Sequence, residues 1–346
     1  MAIVAQRVDP LASPEWDLLL EGYPDAGVFH TSAWARVLVD TYGYAPAYLR
    51  LHEDEATVGL APFMTVDGFM QCRRGVSLPF SDYCQPLLRG GEAAGEYWKC
   101  LSGFAARESW RKIEIRGGDG LIPGFLPSVS YFRHSIDLGP GPDRIFRALR
   151  PGTRQGITKS QREGVRVEMS TDARALAAYY RLHCLTRKRQ GMPPQPWSFF
   201  RNIQAHLIDR GMGLVCLAHY RDRAIAGAVY FRHGERVLYK FGASDTTFQH
   251  LRANNLVMWE AISFYAGEGL AELCLGRTDI DNQGLRRFKS GWGAKEEMIS
   301  YCSYHIPEES FISEAALVRP WQNRLMRTLP IPVLRSVGKL LYRRAG

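Results

Sequence analysis

The chain alternates between two hydrophobic periods, one of two residues and one of about 3.6 residues. Segments such as RKIEIRG (111–117) and VRVEMS (165–170) place apolar side chains at every second position, which predicts β-strands. Segments such as TSAWARVLVDTYG (31–43) and EAAGEYWKCLSGFAARES (92–109) carry apolar residues at helical spacing. The pattern therefore predicts a mixed α/β fold over the whole chain.

The order of these segments repeats after residue 138. The second half begins with two helical segments broken at Pro151-Gly152, and in order it then predicts a strand over 165–170, helices over 172–191 and 196–211, three strands within 213–244, a helix over 252–269 and strands over 271–276 and 296–305. The first half follows a looser version of the same order. We predict two degenerate copies of one unit, residues 1–138 and 139–306, with a basic helical tail over 307–346.

Composition is that of an ordinary globular protein, with 46% hydrophobic and 23% charged residues. No apolar run approaches the roughly 18 residues that cross a membrane, and the first residues lack the features of a signal peptide. The seven cysteines form no C-x-x-C pair, which favours free thiols in a reducing compartment over disulfides or metal ligands. We therefore expect a cytoplasmic protein without a metal.

The net charge of +9 is concentrated in two segments. From 144 to 166 there are seven lysines and arginines against the single acid Glu163, and the last forty residues carry seven more against three acids. Such a basic surface attracts phosphate groups of nucleic acids, lipid headgroups or nucleotide-linked substrates. A merely solvated basic face is the alternative interpretation.

Several phrases, in order along the chain, resemble a known family. They are FHTSAWARVLVDTYGY, LPFSDYCQPLL, RPGTRQGITKSQREGVRVE, LHCLTRKRQGMPPQPWSFF, GASDTTFQHLRANNLVMWEAI and LGRTDIDNQGLRRFKSGWGAKEE, and they are spread from about residue 29 to 301. Together with the element order they resemble the Fem-type aminoacyltransferases and their tandem GNAT relatives with BioF2-like acetyltransferase domains. The resemblance implies two GNAT-like α/β (α+β) domains, each with a mixed, mostly antiparallel sheet flanked by helices.

The resemblance also implies N-acyl transfer, the formation of an amide bond. The leading hypothesis is a Fem-like transfer from aminoacyl-tRNA to an amine of a phosphate-bearing envelope precursor or small molecule, with no tightly bound cofactor. Transfer from an acyl-CoA to an amino sugar in polysaccharide synthesis is the first alternative. A non-catalytic adaptor that binds tRNA or anionic lipid is the second.

The run GLRRFKSGWG resembles the Fem signature in which a Phe-Lys pair lies beside the reacting acyl group. This pair is Phe288 and Lys289 here, in a stretch that predicts either a solvated helix or an active-site loop. Lys289 is our candidate for oxyanion stabilisation, while Phe288 and Arg287 are donor-binding candidates. Asp279, at the end of a predicted strand, is the candidate proton acceptor; for the neighbouring Asp281-Asn282, capping of a helix is the favoured interpretation.

The predicted donor loop departs from the acetyl-CoA pattern. Enzymes of that type carry Arg/Gln-x-x-Gly-x-Gly/Ala, whose bare amides bind the pyrophosphate at a helix N-terminus. Here Arg252 keeps the basic position, but Ala253, Asn254 and Asn255 stand in place of the glycines. We keep Arg252, Asn254 and Asn255 as donor-binding candidates, and the missing glycines favour a charged tRNA over CoA.

The acceptor candidates come from three segments. A basic helical stripe supplies Arg154 and Lys159, and LPFSDYCQPLL supplies Asp82 and Tyr83. His183 and Arg187 lie one helical turn apart, and a buried structural histidine is the alternative there. We predict that the first four line a groove between the two halves.

The tail mixes leucine, isoleucine and valine with arginine and lysine at helical spacing, as in RLMRTLPIPVLRSVGKLLYRRAG. The pattern predicts either a helix that lies on an anionic membrane at its inner face or one that packs back on the first domain.

Overall fold

The computed structural model describes residues 3–68, 72–313 and 320–344. The chain divides into two compact units, and the division falls within two strands. The first unit draws on residues 1–131, 298–317 and 341–346, and the second on residues 132–297 and 318–340. Each unit combines strands with flanking helices, which confirms the predicted mixed α/β fold.

The first unit contains, in chain order, β1 (Val4–Val8), α1 (Glu15–Glu21), α2 (Ser32–Tyr42), β2 (Ala45–Pro46), β3 (Tyr48–Glu53), β4 (Ala56–Ala61), β5 (Met64–Asp67), β6 (Arg73–Val76), β7 (Leu87–Leu88), α3 (Gly90–Arg107), β8 (Lys112–Arg116) and the first residues of β9 (Val129–Asp137). Its strands form a four-stranded sheet in the order β1-β3-β4-β7 and a row β8-β6-β5-β2. Side chains of α3 such as Tyr97 and Leu101 pack with Ile113 and Ile115 of β8 in its core.

The second unit contains the rest of β9, α4 (Pro142–Ala148), α5 (Pro151–Arg162), β10 (Arg166–Ser170), α6 (Ala173–Gln190), α7 (Trp197–His206), β11 (Gly213–Tyr220), β12 (Arg223–His233), β13 (Arg236–Ser244), α8 (Ala253–Gly267), β14 (Glu272–Asp279) and α9 (Gln283–Ser290). The strand order is β10-β11-β12-β13-β14-β9. β15 (Lys295–His305) begins in this unit and ends in the first, where it pairs with β8 and with β16 (Ser310–Phe311).

Local sequence chemistry accounts for the element boundaries. The hydroxyl of Thr31 accepts a hydrogen bond from the backbone N–H of Trp34 and caps α2, and Gly43 ends that helix in the left-handed conformation. The predicted turn between β11 and β12 is confirmed, with Arg221 and Asp222 both at positive φ as a two-residue hairpin requires.

The connection from β13 to β14 determines where a ligand fits. The two strands are parallel and pair through Arg236–Leu238 and Glu272–Cys274, near their N-terminal ends. The helix α8 connects them and packs in the core of the unit through residues such as Leu256 and Ile262. The carboxyl end of β13 and the N-terminus of α8 therefore lie together, which is where α/β proteins commonly bind ligands.

The helix predicted over 252–269 is confirmed as α8. Arg252 adopts the left-handed conformation and the helix begins immediately after it, so Ala253–Asn255 form its first turn. Of the two alternatives for residues 283–290, the structure has the helix, α9, in which the side chain of Asn282 accepts a hydrogen bond from the backbone N–H of Leu285. The predicted capping role of Asn282 is thereby confirmed.

The tail contains α10 (Pro320–Thr328) and α11 (Ile331–Leu341). Leu334 and Gly338 of α11 are buried, and a Cβ on Gly338 would lie 2.1 Å from the carbonyl oxygen of Pro194 in the second unit. The guanidinium of Arg335 lies over the ring of Tyr180, 5.4 Å from its centroid. Among the described residues, no helix is long and apolar enough to cross a membrane.

Candidate functional site

A cavity of about 140 Å³ opens where β13 ends and α8 begins. Its walls are formed by Ile225, Ala226, Ser244, Asp245, Phe248, Gln249, Arg252, Ala253, Asn254, Asn255 and Phe288. Four of the five donor-binding candidates therefore meet here, drawn from the start of α8 and from α9. The fifth, Arg287, is an exposed residue in the last turn of α9 and does not line this cavity.

The N-terminus of α8 carries polar side chains at the positions where acetyl-CoA enzymes have glycines. Arg252 precedes the helix with φ 57° and ψ 28°, a conformation that is costly for any residue with a Cβ. Asn254 Nδ2 donates to Ser244 Oγ over 3.3 Å and so links the helix to the end of β13. Asn255 contacts α5, where a Cβ on Gly156 would lie 2.9 Å from its Nδ2. The first turn of α8 therefore presents amide side chains as well as backbone N–H groups.

Asp245 also lines the cavity, a residue that no sequence motif had indicated. Its Oδ1 accepts from Thr247 Oγ1 over 2.7 Å and from the backbone N–H of Thr247 over 3.0 Å, and its Oδ2 pairs with Arg223 Nη2 over 2.9 Å. The hydrogen bond from the Thr247 side chain is the main cause that lowers the pKa of Asp245, with a contribution from Arg223. The cavity therefore contains an ionised carboxylate at neutral pH.

Lys289 lies in α9 with its side chain turned into the protein, only 3% exposed. Its Nζ donates to the carbonyl oxygens of Gly276 over 2.9 Å and of Arg277 over 3.1 Å, both on β14. Gly276 has φ 69°, a left-handed conformation within the strand that glycine tolerates best. The adjacent Phe288 is half-buried, contacts Trp292 edge to face and faces the cavity. The cation is thus inside and the aromatic residue lines the site.

A buried imidazole from β9 responds to the charge of Lys289. His134 is fully buried, and its Nε2 lies 2.9 Å from Glu296 Oε2, which Arg286 holds through two further hydrogen bonds. Burial is the main cause that lowers the pKa of His134, and the charge of Lys289 lowers it further. His134 is therefore neutral, and its Nδ1 has no hydrogen-bond partner among the described residues.

Another buried polar atom lies on the neighbouring strand. The hydroxyl of Thr278 in β14 is 2% exposed and has no hydrogen-bond partner within the described ranges. Unpartnered buried polar atoms are uncommon in folded proteins, and bound ligands or water often satisfy them. β9 and β14 therefore both carry polar groups next to the strand residues that hold Lys289.

Asp279 ends β14 and its side chain is exposed. Its carbonyl oxygen accepts a hydrogen bond from the backbone N–H of Asn282 over 3.0 Å, which closes the turn into α9. The carboxylate is thus at the carboxyl end of a strand, where the sequence analysis expected it. It does not line the cavity described above.

The acceptor candidates lie in different parts of the fold. Arg154 and Lys159 lie on α5, which packs against α8, and Arg154 Nη1 donates to the carbonyl oxygen of Arg147 over 3.2 Å. Asp82 and Tyr83 belong to the first unit, where the carbonyl oxygen of Asp82 accepts from Tyr301 Oη and Tyr83 Oη donates to Gln85. That all four line one groove stays a prediction.

His183 and Arg187 lie on α6 beside the segment between α6 and α7. The imidazole of His183 is buried among aromatic rings, and its Nε2 is hydrogen-bonded to Gln195 Oε1 over 2.8 Å. Burial, followed by the charge of Arg187, lowers the pKa of His183 to about 3. A histidine that stays neutral at every physiological pH and is bonded to an amide has the features of a structural residue.

No group of three or more histidine, cysteine, aspartate or glutamate side chains is placed to hold a metal within residues 3–68, 72–313 and 320–344. All seven cysteines are free thiols; four are buried, and Cys72 is exposed.

Residues 147–290 match the protein family described as an acetyltransferase (GNAT) domain. This segment contains the cavity, α8, β14 and Lys289. Comparison with curated protein sequences gives no match.

Solved structures resemble almost the whole chain. A crystal structure of FemX aligns over 87% of this chain and 97% of its own, with a TM-score of 0.69 and 15% identity. L-PGS from Bacillus licheniformis aligns over 91% and 96%, with a TM-score of 0.54 and 12% identity. A tandem GNAT protein from the clavulanic acid biosynthesis pathway aligns over 88% and 99%, with a TM-score of 0.53 and 10% identity. At these identities the likeness concerns the fold, and it confirms the predicted tandem GNAT architecture.

Proposed function

The chain is an acyltransferase with the tandem GNAT fold, since residues 147–290 match the GNAT acetyltransferase domain, and from this premise we propose that it carries out aminoacyl transfer from a charged tRNA to an amine. In this reaction the nitrogen of the acceptor amine attacks the carbonyl carbon of the aminoacyl ester. A C–N bond forms, the C–O bond to the ribose breaks, and the proton of the amine ends on the released ribose hydroxyl. The product is an amide.

The observation that carries the choice of donor is the ionised Asp245 in the wall of the cavity. An aminoacyl ester carries an α-ammonium group, which a carboxylate binds through a charge-assisted hydrogen bond. An acetyl group offers no such partner. The cavity volume of about 140 Å³ is also below the roughly 300–1,000 Å³ of sites that enclose drug-sized ligands. It suits an aminoacyl group better than a whole coenzyme.

The neighbouring side chains supply the rest of donor binding in this proposal. Phe288 packs against the terminal adenine or the acyl side chain, while Arg252 and Arg287 bind phosphates of the tRNA acceptor end. Asn254 and Asn255, in the first turn of α8, form the adjoining wall of the cavity. The basic excess between residues 144 and 166 extends the positive surface that a nucleic acid requires.

We assign oxyanion stabilisation to Lys289. Its ammonium is held in place by two carbonyl oxygens in a water-poor interior, where a fixed charge stabilises a developing oxyanion more strongly than in water. The neutral His134 next to it adds no competing positive charge. Asp279, at the open end of β14, is the proposed proton acceptor for the attacking amine.

The proposed acceptor is a phosphate-bearing amine, such as an envelope precursor or a small molecule. Arg154 and Lys159 on α5 would bind its phosphate, while Asp82, Tyr83 and Arg187 remain candidates for its other groups. The buried His183 is left out of this set because its imidazole is bonded to Gln195. The cytoplasm is the proposed compartment. Contact of the tail with the inner face of an anionic membrane is also proposed, because α11 leaves Val333 and Leu340 exposed on a basic segment.

A second candidate function is transfer from an acyl-CoA to an amino sugar. It is favoured by the description of the matched family and by the N-terminus of α8 at the cavity, which is a general anion site.

The test is a donor screen in which purified protein is incubated with charged tRNAs or with acyl-CoAs and a mixture of amines, and acylated products are detected by mass spectrometry. We expect acylated products only in the incubations that contain charged tRNA. Products only in those that contain acyl-CoA would replace the proposal with the second candidate. Binding of tRNA with no product from any donor would favour a non-catalytic adaptor.

A further inference from the structure

A second cavity lies within the first unit, at the end of α2, with a volume of about 550 Å³. It is lined by Arg7, Tyr42, Gly43, Tyr44, Ala45, Thr65, Asp67, Arg73, Glu108, Arg343 and Arg344. None of these residues belongs to the acyl-transfer site proposed above. Four of the eleven are arginines, drawn from β1, from β6 and from the end of the chain.

The C-terminal residues are fixed to this cavity by specific contacts. Tyr44 Oη donates to the carbonyl oxygen of Tyr342 over 2.6 Å, and Arg74 Nη2 donates to the carbonyl oxygen of Arg344 over 3.2 Å. The ring of Tyr342 contacts Phe80 edge to face, with centroids 5.7 Å apart. These bonds hold the backbone on either side of Arg343. Arg343 and Arg344 are therefore fixed in the wall of the cavity.

The charges in the wall do not balance. The lining contains four arginines and two acids, so its formal charge is positive. Arg7 pairs with Glu108 over 3.0 Å, and Arg73 pairs with Asp67 over 3.3 Å. Guanidinium groups that converge on one cavity favour an anionic ligand between them.

Because the cations in the wall are guanidinium groups, they limit the chemical class of anion that fits. A guanidinium presents planar, paired N–H donors that match the oxygens of phosphate, and it stays charged at any physiological pH. A cavity of about 550 Å³ accommodates a phosphate together with the group that carries it.

We propose that this cavity, which we call the arginine pocket, binds a phosphate or diphosphate group, carried by a soluble small molecule or by a lipid headgroup. The phosphate lies among Arg73, Arg343 and Arg344, and its binding joins the C-terminal residues more firmly to the first unit. The proposal is independent of the acyl-transfer reaction, because it concerns binding alone.

Calorimetric titration of the full chain with inorganic pyrophosphate tests it. We expect saturable binding that weakens as salt screens the charges. The double variant Arg73→Ala/Arg343→Ala should bind at least about tenfold more weakly, since two of the proposed contacts are lost. Arg324→Ala, which removes an exposed arginine of α10 outside the pocket, is the matched control and should bind like the wild type.

Absence of saturable pyrophosphate binding, or equal affinity in the wild type and the double variant, would overturn the proposal. Both substituted arginines are exposed. An unchanged melting temperature of the double variant would show that its weaker binding is not caused by misfolding. Arg343→Lys keeps the charge but loses the planar fork, so its affinity should lie between those of the wild type and the double variant.

A second arm identifies the source of the phosphate. Vesicles of phosphatidylglycerol mixed with phosphatidylcholine are compared with vesicles of phosphatidylcholine alone in a flotation assay. Binding to the anionic vesicles that pyrophosphate abolishes supports the pocket with a lipid headgroup as ligand. Pyrophosphate binding without vesicle binding supports it with a soluble ligand. Vesicle binding that the double variant retains would refute the pocket as a headgroup site.

Discussion

Among the described residues, each unit buries one arginine or lysine side chain close to the strand that follows its connecting helix, α3 or α8. In the first unit the guanidinium of Arg116 at the end of β8 bonds Glu114 over 2.8 Å and the carbonyl oxygens of Leu78 and Ser81 over 3.2 Å. In the second unit Lys289 bonds two carbonyl oxygens of β14. Burial tends to raise the pKa of Glu114, but Arg116 and Arg74 outweigh it and lower that pKa.

The difference teaches how to separate a structural cation from a candidate catalytic one. Arg116 belongs to an ion pair in which both partners are largely buried. The charge of each partner is satisfied by the other, so neither is available to a ligand. The ammonium of Lys289 is instead hydrogen-bonded to two backbone carbonyl oxygens, and a neutral histidine lies within reach of its charge. Its helix neighbour Phe288 lines a cavity.

The arginines that precede the two connecting helices differ in the same way. Arg89 before α3 has extended backbone angles, lies over the ring of Tyr23 and donates to the carbonyl oxygen of Gly22. Arg252 before α8 takes the left-handed conformation and lines the cavity. Strained backbone persists where surrounding structure or function maintains it. Arg252 therefore has the features of a site residue, whereas Arg89 is an exposed side chain held by Tyr23 and Gly22.

The largest effect should come from the two buried cations. Lys289→Met should lower kcat roughly 10²–10³-fold, because a preorganised charge on the oxyanion is lost. Arg116→Met should instead lower the free energy of unfolding by up to about 3–5 kcal/mol, because the buried carboxylate of Glu114 loses its nearer ion-pair partner and keeps only Arg74, 3.8 Å away. Turnover with the donor found in the screen and chemical denaturation measure the two quantities. Wild-type kcat in Lys289→Met, or an active-site defect at unchanged stability in Arg116→Met, would reverse the assignment.

Asp245 tests whether the cavity recognises an aminoacyl donor. Asp245→Asn keeps the acceptor for the Thr247 hydrogen bonds but removes the negative charge, so the KM of the aminoacyl donor should rise about tenfold, as expected when a charge-assisted hydrogen bond is weakened. The wild type should discriminate against a donor whose α-amine is acetylated, and the variant should not. Asp281→Asn, an exposed aspartate before α9, is the control. Equal discrimination in the wild type and Asp245→Asn would contradict the assignment.

The buried histidine of α6 provides a pH test. Because the folded-state pKa of His183 is about 3 and the ordinary value is near 6.5, the unfolded chain binds the proton more readily between these pH values. Stability should therefore be fully present above pH 6.5 and should fall on acidification, with a slope of at most about 1.4 kcal/mol per pH unit from this group. His183→Gln should flatten the dependence of the unfolding free energy on pH between 6.5 and 5.5, whereas exposed His250→Gln should not. Parallel curves for all three proteins would exclude the assignment.

The smallest effect concerns the two arginines before the helices. Arg252→Gly should leave the melting temperature unchanged or slightly higher, because relief of about 1 kcal/mol of left-handed strain offsets the greater freedom of glycine in the unfolded chain. The donor KM should rise severalfold. Arg89→Gly should lower stability by about 1 kcal/mol through loss of its contacts with Tyr23 and Gly22, at unchanged KM. A stability loss in Arg252→Gly comparable to that in Arg89→Gly would remove the distinction.

The two hydrophobic periods determined the element types, their order and the repeat of that order, because burial of one face of a helix or strand is written in local spacing. The hairpin at Arg221-Asp222 and the caps at Thr31 and Asn282 were likewise local. The candidates Arg252, Asn254, Asn255 and Phe288 meet in one cavity because they come from the first turn of α8 and from α9, which follows the next strand.

The tertiary structure alone decided which side chains are buried beside that cavity and what they contact. The helical spacing of α9 did not show that Lys289 is buried and Phe288 lines the cavity, because this depends on the carbonyl oxygens of Gly276 and Arg277 that β14 presents to Lys289. No sequence period specifies that Asp245 lines the cavity or that His134 lies near the charge of Lys289. Both depend on which strands are neighbours in the sheet. The arginine pocket joins side chains from residues 7, 73, 343 and 344, and a convergence over such distances in the chain arises only when the core has folded.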